Sequence, residues 1–245
     1  MVVKNVERFN KHFLKNLIYK KLHFDIRKTT EVAKVDDQLE QYLTGTVPAV
    51  PKWAAELETY AHEHRIPIME PLGIQLLMQL IRIHKPDKIL EIGTAIGYSA
   101  LRMLEAHPAA HITTIERDDQ RYQEAINNIE ARNQQNQIQA FFGDALEEVE
   151  RVEKNGPYDL LFIDAAKGQY QRFFEIYSKQ LNEDAIIVSD NVLFRGLVAA
   201  ESDQKDRLNK IAGKIRTYNE WLVNHPDYYT TIIPVGDGIA VSVRR

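Results

Sequence analysis

From residue 86 onward, apolar positions fall into short β-rich runs that alternate with stretches of helical spacing. The runs are Lys88–Ile92, His111–Glu116, Gln137–Phe142, Tyr158–Asp164 and Ala185–Asp190. Between them the spacing predicts helices near Tyr98–Ala106, Asp118–Asn133, Asp144–Lys154 and Tyr170–Gln180. Repeated strand–helix–strand units require crossovers, hence a parallel sheet with helices on both faces. The end of the chain differs. A long helix about Asp203–Asn224 is followed by Tyr228–Ile233, the turn Pro234-Val235-Gly236-Asp237-Gly238 and Ile239–Val243. Two β runs around a Gly-Asp-Gly turn predict a hairpin that adds antiparallel strands, making a mostly parallel seven-stranded sheet. Helices near Pro51–His64 and Pro71–His84 precede the sheet, and a shorter one is expected over Asp36–Leu43. No repeat or low-complexity linker interrupts the pattern, so residues 35–245 read as one α/β domain.

Chemistry collects where the predicted strands end. Gly93-Thr94-Ala95-Ile96-Gly97 leaves the first strand and opens a helix, so its backbone can turn tightly beside helix N–H groups. The spacing is G-x-x-x-G, not the G-x-G-x-x-G of a dinucleotide site; alone it fits a plain turn equally well. Glu116 ends the second strand, where a carboxylate can accept both hydroxyls of a ribose or simply be solvated. Asp144 and Ala145 follow the third, placed to bond an adenine edge, although Asp144 also suits a helix N-cap. A ribose ligand without a diphosphate grip points to S-adenosylmethionine over NAD. Asp164 closes the fourth strand, and Asp190-Asn191 the fifth. Two carboxylates and an amide oxygen at one sheet edge suit Mg²⁺ or Mn²⁺; a lone Asp there would be only a cap. Lys167 lies three residues beyond Asp164, as a general base at the crevice mouth or as a surface lysine.

Composition excludes several classes. The chain has 245 residues and no Cys, which removes disulfide scaffolds, Cys zinc sites and thiol nucleophiles. No apolar run reaches the ~18 residues of a membrane span, and the N-terminus lacks a secretory h-region, so a cytoplasmic protein is expected. The eight His show no metal or triad spacing. Residues 1–34 hold nine Lys/Arg against three acids, and the remainder holds 22 bases against 32 acids. A body that acidic repels polyanions at long range, so an RNA partner would need a local basic patch. Three readings of residues 1–34 stay open: a basic arm, an accessory helix, or a leader outside the native protein, with a start at Val35.

Together these residues resemble the metal-dependent O-methyltransferases of the catechol and caffeoyl-CoA type, a class I, Rossmann-like fold. Within that family the strings MEPLG, ILEIGTAIGYSA, IER, FIDAAKGQYQ, DNVLFRGLV, NHPDY and IPVGDGIA are most similar to the bacterial tRNA 5-hydroxyuridine methyltransferases. The resemblance implies that Met69, Gly93 and Ser99 contact the methionine portion of S-adenosylmethionine, with Glu116 on the ribose and Asp144 and Ala145 on the adenine. It further implies Asp164, Asp190 and Asn191 as metal ligands, with Asp164 also beside the cofactor, and Lys167 as base. Ala165 and Ala166 stand where catechol-type members carry bulkier residues, leaving room for a larger substrate. The implied reaction gives 5-methoxyuridine at the wobble position of a tRNA anticodon stem-loop; the alternative acceptor is a small catechol, flavonoid or acyl-CoA phenol. A non-catalytic cofactor- or RNA-binding module is a third reading. Arg195, Lys205, Arg207, Lys210, Lys214 and Arg216 are the candidates for RNA contact, or merely a solvated helix face. Phe194 and Leu197 would wall the base or anchor their loop, and a homodimer is implied.

Overall fold

The computed structural model describes residues 38–199 and 206–245. The chain divides into two compact units, 1–47 and 48–245. The described part of the first is a helix over 38–46 with Leu39 and Tyr42 exposed; residues 1–34 and Lys205 lie outside the described residues.

The second unit carries the sheet. Helices α1 (Lys52–His64) and α2 (Pro71–His84) precede β1 (Lys88–Ile92), α3 (Tyr98–Ala106), β2 (His111–Glu116), α4 (Asp119–Ala131) and β3 (Ile138–Phe142). Then come α5 (Val149–Glu153), β4 (Tyr158–Ile163), α6 (Tyr170–Tyr177), β5 (Leu181–Ser189), α7 (Arg207–Val223), β6 (Tyr228–Ile233) and β7 (Ile239–Arg244). The seven strands run in the order β3-β2-β1-β4-β5-β7-β6. The first five are parallel, and β7 pairs antiparallel with both β5 and β6.

The period of two explains why the central strands are apolar throughout. Ile89, Leu160, Phe162 and Val188 pack on one face with Leu77, Met78 and Ile81 of α2 and Leu101 and Leu104 of α3. The alternate positions Leu90, Ile92, Leu161, Ile163 and Ile187 pack on the other with Phe173 and Phe174 of α6 and Ile215 and Leu222 of α7. Truncating a fully buried residue such as Leu161 to Ala would cost ~2–5 kcal/mol. Pro71 starts α2 at a position where its missing N–H costs nothing, and Asp118 caps α4 by accepting from Arg121 N at 3.1 Å.

Two expectations change. The helix near Asp144–Lys154 shrinks to α5, because Asp144 Oδ1 takes the Leu146 N–H at 2.9 Å and its carbonyl takes those of Glu147 and Glu148. Asp144 therefore caps only that turn, and α5 begins separately behind Glu148. The fifth strand starts earlier, at Leu181, since Leu181 pairs with Tyr158 across an irregular register. Among the described residues no helix is long and apolar enough to cross a membrane.

Candidate active site

The strand order reverses direction between β1 and β4, the place where an open α/β sheet leaves a crevice at its carboxyl edge. Register then fixes the neighbours. Ile92 pairs with Ile163, and Ile163 with Ser189. The ladder continues one step: Asp164 N donates to Ile92 O at 3.0 Å, and Asp190 N to Ile163 O at 3.0 Å. Gly93, Asp164 and Asp190 therefore emerge side by side. A Cβ on Gly93 would fall inside the Asp164 carbonyl, and its φ of +108° belongs to glycine, so this crossing demands that residue.

A cavity of about 320 Å³ opens over this edge, within the usual range for small-ligand sites. Met69, Gly93, Ser99, Glu116, Asp144 and Ala145 all line it, together with Asp164, Lys167 and Asn191. Glu116 is preorganised. Its Oε2 accepts from Ala95 N at 2.8 Å, and its Oε1 from Arg117 N and Asp118 N, each at 2.9 Å. Oε1 thereby has both lone pairs occupied, while Oε2 keeps one for a further donor. Tyr177 donates its hydroxyl to the Ala145 carbonyl, fixing that rim. Ser99 is the one cofactor candidate whose donor is already spent: Oγ donates to Glu91 Oε1 at 2.5 Å, leaving the hydroxyl only as an acceptor toward the cavity.

Glu91 escaped the sequence reading, although an acid inside the run Ile89–Ile92 was its signal. It is fully buried and also accepts from Thr114 Oγ1 at 2.6 Å. Burial pushes its carboxyl from 4.5 up to about 7; the Ser99 and Thr114 hydrogen bonds oppose this, and the charges of Asp164 and Glu116 add to it.

The acid cluster lies on the β4–β5 side of the cavity. Burial pushes Asp164 up to about 6, with Lys167 opposing and the charges of Asp237 and Glu116 adding. Asp190 is 3% exposed and rises well above the usual carboxylate range, through burial and then the charge of Asp164. Asn191 bridges the groups: its Nδ2 donates to Asp190 Oδ2 at 2.7 Å, and its Oδ1 accepts from Lys167 Nζ. Phe194 lies over the lysine, its ring centroid 5.9 Å from Nζ.

Tyr170 also escaped the sequence reading. Its hydroxyl is buried within the field of Asp164 and Asp190 and bonds the Ala165 backbone. Two buried acids side by side either take up protons or accept a positive partner. The hard oxygens of Asp164, Asp190 and Asn191 fit a small divalent cation.

The remaining candidates divide. Lys214 stands beside the mouth, with Nζ 3.2 Å from where a Cβ on Gly168 would sit. Arg216 instead faces the loop after β5, its Nε donating to Val198 O at 2.8 Å. Arg195, Arg207 and Lys210 are exposed. Phe194 packs against the core on the α6–α7 face of the sheet, so it both anchors its loop and faces Lys167.

Known proteins resemble this chain over nearly all of the second unit. The sequence profile of the O-methyltransferase family matches residues 51–245. A caffeoyl-CoA O-methyltransferase of Stellaria longipes is 29% identical over 213 residues, 83% of this chain and 88% of that protein. A catechol O-methyltransferase of Niastella koreensis is 34% identical over 132 residues, 53% of this chain and 58% of that protein. A solved structure from Staphylococcus aureus, provisionally assigned as a caffeoyl-CoA O-methyltransferase, is 36% identical with a TM-score of 0.80. It covers 85% of this chain and 100% of its own.

Proposed function

Because the chain belongs to the O-methyltransferase family, we propose that it passes the methyl group of S-adenosylmethionine to one hydroxyl of an aromatic acceptor carrying two vicinal oxygens: a catechol, flavonoid or acyl-CoA phenol. The observation that carries this reading is the convergence of Asp164, Asn191 and Lys167 on the cavity that Glu116 and Asp144 also line, with Asp190 bonded to Asn191 behind them. Caffeoyl-CoA and catechol enzymes among its relatives support the phenolic acceptor.

In this reading Glu116 holds the ribose of S-adenosylmethionine, Asp144 and Ala145 its adenine, and Met69, Gly93 and Ser99 the methionine portion. Asp164, Asp190 and Asn191 would hold a divalent cation, which when bound supplies a Lewis acid for the vicinal oxygens. Lys167 takes the proton of the reacting hydroxyl at Nζ. Asn191 sets where that amine stands, and Phe194 shields it from water. The methyl group passes from sulfonium sulfur to the hydroxyl oxygen, and the sulfur keeps the bonding pair. Holding donor and acceptor end to end provides much of the rate.

A second reading keeps the chemistry and changes the acceptor to 5-hydroxyuridine at the tRNA wobble position, whose 5-hydroxyl and C4 carbonyl form a similar oxygen pair. Small Ala165 and Ala166 at the rim, with Lys214 beside Gly168, favour it. Purified protein with S-adenosylmethionine and Mg²⁺ should be offered caffeoyl-CoA, catechol and tRNA bearing 5-hydroxyuridine, with products weighed by mass spectrometry. A singly methylated phenol as the preferred product upholds the first reading. Methylation of the tRNA alone replaces it with the second, and turnover of none of the three removes both.

A further inference from the structure

The loop after β5 is bent more sharply than its sequence alone would hold. Asn191, Phe194, Arg195 and Gly196 all have φ between +47° and +74°. Three of them are not glycine, and such a backbone persists only where its surroundings over-determine it. The β6–β7 turn provides that surrounding. Val192 N donates to Gly238 O at 3.0 Å and Leu193 N to Asp237 O at 2.9 Å. The Leu193 side chain fills the space where Gly238, at φ +86°, lacks a Cβ. Those contacts fix the loop's first half by main chain. Its second half carries the local turns Leu197 N to Phe194 O and Ala199 N to Gly196 O, each at 3.0 Å, and the β6–β7 turn reaches it through one side chain, since Arg195 N donates to Asp237 Oδ1.

We propose that Asp237 is a positioning residue for methyl transfer: its carboxylate holds the left-handed turn at Phe194 and Arg195, and so keeps the Phe194 ring over Lys167 as the acceptor-side wall. The acceptor role of that wall rests on the function proposed above, whereas the clamp itself does not. Asn219 Nδ2, donating to Val192 O at 2.7 Å, and Arg216, bonded to Val198 O, secure the loop on either side of this turn from α7. Neither bonds residues 194–195 themselves. Loss of the Asp237 oxygen strands the Arg195 N–H and frees the turn; the Asp237 charge that helps raise Asp164 and Asp190 is lost in the Ala and the Asn variants alike, so the clamp alone separates the two.

Asp237→Ala removes the acceptor oxygen, and Asp237→Asn retains it. Hydrogen exchange followed by mass spectrometry reads the clamp with no acceptor present. In the Ala variant, amides of residues 193–198 should exchange at least ~10-fold faster, the loss expected for a hydrogen bond to a charged group, with β7 unchanged. In the Asn variant they should stay within ~3-fold of the parent. With caffeoyl-CoA at saturating Mg²⁺, Ala should raise the acceptor KM ~10-fold or more, with kcat and S-adenosylmethionine affinity within ~2-fold, and Asn should restore KM. Unchanged exchange in the Ala variant, or an Asn variant as impaired as Ala, would overturn the clamp. Faster exchange with an unchanged acceptor KM would overturn the wall. If the parent turns over neither caffeoyl-CoA nor catechol, the phenolic reading fails, and the exchange result still decides the clamp.

Discussion

Replacing Glu91 by Gln should make the unliganded protein more stable at pH 8 and leave it nearly unchanged at pH 4. Glu91 is fully buried, and burial lifts its carboxyl from 4.5 to about 7. An acid raised on folding holds its proton in the native state while the unfolded chain has lost it. Its contribution to stability is therefore fully present below 4.5 and lost as pH rises to about 7. At ~1.4 kcal/mol per pH unit, that gap corresponds to ~3 kcal/mol. Gln keeps the shape and one acceptor oxygen, but Ser99 Oγ and Thr114 Oγ1 both donate to the native carboxylate. One hydroxyl must reverse to accept from the new amide, as it must for the protonated carboxyl, so the two match at pH 4 and the gain at pH 8 is the full ~3 kcal/mol. Urea unfolding of parent and variant at pH 4, 6 and 8 measures it. A difference independent of pH, or a variant less stable than the parent at pH 8, would refute the reasoning.

Three further outcomes follow from the same geometry. Gly93→Ala forces a Cβ onto the Asp164 carbonyl at φ +108°, so thermal unfolding should show a loss of at least ~3 kcal/mol or no folded protein. Glu116→Gln leaves one oxygen for the three backbone donors that two oxygens serve in the parent; calorimetry should find S-adenosylmethionine affinity down ~10-fold or more, and an unchanged affinity would free the ribose from this residue. Burial raises Asp164 to about 6 and raises Asp190 as well, so Mn²⁺ affinity should fall at least ~10-fold per pH unit below 6; a flat profile from pH 5 to 8 would separate these acids from cation binding.

The strands were legible because each central one is buried on both faces and reads as an unbroken apolar run. Gly93, Glu116, Asp164 and Asp190 were legible for a related reason: polar residues and glycine break those runs abruptly where the sheet meets its crevice. The Asp144–Lys154 stretch was misread as a single helix because its spacing suits one, while the Asp144 side chain takes the Leu146 N–H and forms a turn instead. Glu91 and Tyr170 were invisible because periodicity marks a buried position but not the partner it meets there. Asp237 looked like an ordinary turn residue. Its hold on Arg195 joins positions 42 apart in the chain, a contact that only the antiparallel return of β7 creates.

Methyl transfer from methyl-labelled S-adenosylmethionine to caffeoyl-CoA, followed before and after EDTA and again after added Mg²⁺, tests the active site most directly. The expected result is transfer that stops with EDTA, returns with Mg²⁺ and is absent in Asp164→Asn and Lys167→Ala. Undiminished transfer in EDTA, or full activity in either variant, would contradict the roles given to these residues.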